Sequence, residues 1–117
     1  MHELSLASNI INIVSSELKK RAICFNKLKT VKIIVGRLMQ VVPDSLLYAL
    51  EITGKEIGFY DTAYEINIKP VEIKCPNCGI QFTAEKFDMR CPDCGCLDVI
   101  IAGGREFLID KIIINDD

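Results

Sequence analysis

The chain has no tryptophan, a single histidine and no apolar run long enough to cross a bilayer. Stretches such as Val99–Ala102 and Ile112–Ile114 fall far below the roughly 20 residues a membrane helix needs. The opening Met1-His2-Glu3-Leu4-Ser5 lacks the basic start and long apolar stretch of a secretory signal, so a cytoplasmic protein is expected. No Pro-, Gly- or Ser-rich linker, low-complexity tract or solenoid-length repeat divides the sequence. Nor is there a nucleophile paired with a base, or a phosphate loop. No catalytic residue is assigned, and an enzyme is not expected.

What remains is an ordinary globular composition: 117 residues, 50% hydrophobic and 26% charged. That length suits one compact unit, or one domain carrying a small insertion. The net charge of −2 is unevenly spread. Residues 1–40 hold seven basic and two acidic groups, while the other 77 hold seven basic and fourteen acidic. Lys19-Lys20-Arg21 lie at the end of a predicted helix, where cations suit the helix dipole and solvent. With acidic groups flanking the cysteines (Glu85, Asp88, Asp93, Asp98) and few aromatic stacking candidates, nucleic acid is a poor fit as partner.

Leu4, Ala7, Ile11, Val14 and Leu18 recur at helical steps and predict a helix over about residues 5–23. Thr30–Arg37 is β-branched and alternating, which predicts a strand. Pro43-Asp44-Ser45 opens a second helix whose buried face is Leu46, Leu47 and Leu50, loosening between Gly54 and Gly58. Tyr64–Ile73 alternates as a half-buried strand ending around Pro70, and Glu106–Ile114 reads as another strand. The expected architecture is α+β: two helices packed on a small three-stranded mixed sheet, with a cysteine module inserted before the last strand.

Cys75-Pro-Asn-Cys78-Gly79 and Cys91-Pro-Asp-Cys94-Gly95 are near-identical knuckles. Two cysteines three apart in a tight turn present both sulfurs to one ion, and the following glycine lets the backbone turn back. Two knuckles complete a closed tetrahedral thiolate shell, the pattern of structural zinc. Iron in a rubredoxin-like site and a thioredoxin-like redox pair are the alternatives, though two matched knuckles imply one shared ion. Cys96 lies outside the repeat, and Cys24 reads as a small core residue.

His2 sits beside the chain's first residue, so the Met1 amine, the His2 amide and the His2 imidazole fall in one short chelating segment. A neighbouring amide such as that of Glu3 could supply a fourth donor. Nitrogen-rich tetragonal sets suit Ni(II) or Cu(II).

The opening Met1–Ala7 resembles the start of HypA/HybF proteins, the nickel chaperones of [NiFe]-hydrogenase maturation. The resemblance continues through Val41–Leu46, Thr62–Ile66, both knuckles and Gly104–Ile109, in order along nearly the whole chain. It implies an α/β nickel domain from residues 1–72 and 105–117, with a zinc ribbon over 73–104 inserted in it. It also implies nickel on His2, Met1 and Glu3, and zinc on Cys75, Cys78, Cys91 and Cys94. The implied partners are a HypB-type GTPase and the hydrogenase large-subunit precursor; a homodimer is a further expectation. Cys96 departs from the family pattern, standing where many members have a small non-thiol residue.

Overall fold

The structure is a computed structural model that describes residues 3–84 and 89–115. The first helix, α1 (Glu3–Lys20), buries Ala7, Ile10, Ile11, Val14 and Leu18. Leu4, read from the sequence as part of that stripe, is exposed instead. The helix also stops earlier than its periodicity suggests. Ala22 takes a left-handed conformation (φ 56°), and the Ile23 N–H bonds back to the Leu18 carbonyl, closing the last turn. That cap usually falls to glycine, so the sequence carries no visible stop.

Strand β1 (Leu28–Gly36) follows a short 3-10 turn, and a second one, Arg37–Met39, leads toward α2 (Pro43–Ile57). Pro43 occupies the first turn, where its missing N–H costs nothing, and Gly58 (φ 112°) ends α2. Gly54 lies inside the helix rather than at its end. Strand β2 (Ala63–Lys69) pairs parallel with β1, and the last strand, β6 (Phe107–Ile114), pairs antiparallel with β1 on its other side. This gives the mixed sheet β2-β1-β6 with both helices packed on its core.

The strand read as ending around Pro70 does end there, and a second strand follows directly. Pro70 separates β2 from β3 (Val71–Lys74), which joins β4 (Gln81–Ala84) and β5 (Ile100–Gly103) in a second antiparallel sheet. Proline lacks the N–H a continuous ladder needs. The second sheet has a small core of its own, Val71, Ile73 and Ala84, with Phe82, Val99, Ile101 and Leu38 packed on it. Leu38 comes from the 3-10 turn after β1, so the first lobe lends a side chain to the second. Placing two small sheets end to end makes the molecule 54 Å long but only 25 and 19 Å across. Among the described residues, no helix is long and apolar enough to cross a membrane.

Candidate metal centre

The cysteine knuckles sit at the far end of the second sheet, one just after β3 and the other after β4. In each, the first cysteine accepts a bond from the following glycine: Gly79 N–H to Cys75 O at 2.8 Å, and Gly95 N–H to Cys91 O at 2.9 Å. Each first cysteine also donates five residues ahead, Cys75 N–H to Ile80 O and Cys91 N–H to Cys96 O. Gly79 (φ 82°) and Gly95 (φ 74°) hold the left-handed conformation these turns require. The two loops are therefore the same turn used twice.

All four ligand sulfurs lie within 4.8 Å of one another. Cys75 Sγ and Cys94 Sγ are 3.6 Å apart, as are Cys78 Sγ and Cys91 Sγ. A tetrahedral thiolate shell with metal–sulfur bonds of about 2.3 Å has edges of roughly 3.8 Å. The sulfurs thus fit one four-coordinate ion. Cys75 and Cys91 are buried while Cys78 and Cys94 face solvent.

The thiols also behave as one group. Cys94 is pulled down to about 6, first by the Asn77 amide 3.4 Å away, then by the Cys96 backbone N–H. The Ile80 backbone bond would lower Cys78, but burial and the neighbouring thiols outweigh it and push Cys78 up to about 12. Crowded sulfurs resist shedding several protons as like charges, and a divalent cation removes that conflict.

Cys96 is no member of the set. Its place in the second knuckle is that of Ile80 in the first, and its Sγ points to the Asp98 carbonyl at 3.9 Å. Cys24 is exposed, not a core residue as its sequence context suggested.

At the other end, Met1 and His2 lie outside the described residues. Glu3 opens α1, and its carboxylate accepts a bond from the Val42 N–H at 3.2 Å. Val42 is the residue that caps α2. The start of α1 and the entry to α2, far apart in sequence, are thereby tied together. Spacing along the chain gave no signal of this contact.

Comparison with known proteins settles the family. A family model described as "Hydrogenase/urease nickel incorporation, metallochaperone, hypA" matches residues 1–114. The chain belongs to the HypA family. It is similar to the hydrogenase maturation factor HypA of Moorella thermoacetica, 32% identical over 110 residues covering 94% of this chain and 96% of that protein. It is also similar to HypA of Lawsonia intracellularis, 38% identical over 85 residues covering 73% and 70% of the two chains. In fold it resembles the solution structure of the Ni metallochaperone HypA from Helicobacter pylori (TM-score 0.66, 24% identity, all of both chains). A second HypA solution structure gives a TM-score of 0.72 at 24% identity, covering all of this chain and 98% of that one. HypA proteins are nickel metallochaperones of hydrogenase maturation, not catalysts, and this chain carries a four-cysteine cluster able to coordinate a metal.

Proposed function

We propose that this chain holds a structural zinc ion on Cys75, Cys78, Cys91 and Cys94, and carries Ni(II) as cargo at its N-terminus. The cargo ligands are His2 with backbone nitrogens of Met1 and Glu3. The observation that carries the nickel reading is the match to a nickel-incorporation family from residue 1 onward, which includes Met1-His2-Glu3. The Glu3–Val42 bond supports its detail. It engages the Glu3 carboxylate at the entry to α2, so the peptide nitrogen is the donor assigned to the metal.

The two metals call for different sites. Zinc in a closed thiolate shell stays put and stabilises the ribbon, because its binding free energy is part of folding. Nickel in a shallow chelate at the end of the chain is open to an incoming ligand, which suits transfer. Binding displaces protons from amine, amide and imidazole, so nickel is released as pH falls.

The recipient in this reading is a hydrogenase large-subunit precursor in the cytoplasm, with nucleotide hydrolysis supplied by a HypB-type GTPase. The test is made in cells lacking the chaperone. Wild-type chain restores hydrogenase activity; His2→Ala does not, except when nickel is added in excess. Full activity with His2→Ala at low nickel overturns the reading.

A further inference from the structure

Four thiolates around one ion are chemically alike until burial and hydrogen bonding separate them. Cys75 is 0% exposed and Cys91 2%, so a reagent in solution does not reach their sulfurs in the folded ribbon. Cys78 and Cys94 are exposed. A reactive ligand is therefore one of these two.

The knuckles are interchangeable in most of their geometry. Exchanging Cys75 with Cys91, and Cys78 with Cys94, turns one 3.6 Å sulfur pair into the other. Each exposed sulfur accepts a backbone N–H from two residues ahead, Ile80 for Cys78 and Cys96 for Cys94. The equivalence fails at one position. Asn77 reaches across from the first knuckle, and its Nδ2 donates to Cys94 Sγ at 3.4 Å. The matching residue of the second knuckle is Asp93, whose carboxylate accepts hydrogen bonds but has none to give Cys78. Among the described residues, Cys94 has a side-chain N–H donor as well as a backbone one, and Cys78 has the backbone donor alone.

An N–H bond draws charge from a thiolate and weakens it as a nucleophile. We propose that Cys78 is the reactive ligand of the zinc site, the thiolate that takes a soft electrophile from solution, while Asn77 shields Cys94. With an activated alkene, the Cys78 sulfur bonds to the electron-poor carbon. The alkene π pair moves to the neighbouring carbon, which takes a proton from water and leaves hydroxide. The product is a neutral thioether, a far poorer zinc ligand than a thiolate. Zinc binding is part of the ribbon's folding free energy, so modification at Cys78 releases the ion and loosens the knuckles. Asn77 is a positioning residue, acting through Cys94. The proposal rests on the zinc reading, which the metal content of the untreated protein tests by itself.

The experiment treats zinc-loaded full chain with excess N-ethylmaleimide. Zinc release is followed with a colorimetric indicator, and samples quenched at low conversion are mapped by peptide mass spectrometry. Adducts on Cys24 and Cys96, which lie outside the ligand set, are counted apart. Each variant is first shown to hold one zinc per chain with wild-type circular dichroism; Asn77 and Asp93 are both exposed, so neither exchange disturbs a core. In wild type the first knuckle adduct falls on Cys78, at least about fivefold ahead of Cys94. Asp93→Asn supplies the missing donor and slows zinc release at least about threefold. Asn77→Asp exposes Cys94, which then reacts as readily as Cys78. The double exchange, Asn77→Asp with Asp93→Asn, moves the first adduct to Cys94, a switch of site that a merely structural role would not produce. A chain purified without zinc fails the zinc reading and takes this proposal with it. A zinc-loaded wild type modified first at Cys94, or equally at both, overturns the proposal alone, as does a double exchange that leaves the preference on Cys78.

Discussion

Gly36, the last residue of β1, rests against the backbone of Gly104, just after β5, with no room between them for a side chain. The Gly36 N–H donates to the Glu106 carbonyl at 2.6 Å and the Leu38 N–H to the Gly104 carbonyl at 2.8 Å. Here the chain crosses between its two sheets. A Cβ on Gly36 would meet backbone, which cannot swing aside as a side chain end can. Gly36→Ala is therefore expected to destabilise the protein by about 2–3 kcal/mol, the range of a core overpacked against unyielding atoms. Urea unfolding checks it, and an unchanged midpoint would show that the junction gives way easily.

The knuckle geometry separates Cys96 from the ligands. Cys75→Ala or Cys94→Ala should reduce zinc from one per chain to well below that, while much of the helical signal stays. Cys96→Ala should leave zinc in place, because Cys96 holds the position of Ile80 and bonds through its carbonyl. Metal analysis of the purified variants decides it. Loss of zinc in Cys96→Ala as complete as in Cys94→Ala would refute the ligand set.

How far the sequence discloses this molecule depends on the kind of signal each element leaves. The knuckles are fully legible, since metal chelation fixes both residue type and spacing. The break at Pro70 is legible as well. The apolar phase shifts there from Tyr64, Ile66 and Ile68 to Val71 and Ile73, which an uninterrupted strand would not do. The end of α1 is not legible, because Ala22 occupies a conformation nothing in its identity favours. The short strands β4 and β5 are equally hidden: four residues each, held by a ladder and a small core rather than by pattern. The tie from Glu3 to Val42 is a tertiary contact with no trace in local spacing.

Tyr64 carries a cost that mutation can expose. Its hydroxyl is buried against Gly54 of α2 and has no hydrogen-bond partner among the described residues. Burial first, and the Glu51 charge second, push its ionisation up to about 12. The raised value means the unfolded chain, titrating near 10, loses this proton first. The contribution of this group to stability is thus intact below about pH 10 and declines as pH climbs toward 12. Tyr64→Phe should gain about 1 kcal/mol at neutral pH by removing the unsatisfied hydroxyl. It should also unfold less readily than wild type between pH 10 and 12. Equal alkaline stability of the two proteins would contradict this account.

The Met1 amine can be tested apart from the imidazole. Two residues added before Met1 keep His2 but turn that amine into an amide. Nickel affinity should drop by at least roughly tenfold, and the visible spectrum should change with the donor set. Because the extension offers a weaker chelate of its own, spectra and affinity are needed together. Identical affinity and spectrum would remove the amine from the site.

The central claim, that nickel is held by the first residues of the chain and zinc separately by the four knuckle cysteines, is tested most directly by titrating Ni(II) into zinc-loaded wild type and His2→Ala by calorimetry. Zinc is measured on the same samples. The account predicts nickel binding in wild type, none in His2→Ala, and one zinc per chain in both. Nickel bound by His2→Ala with wild-type stoichiometry and affinity would contradict it, as would nickel displacing the zinc.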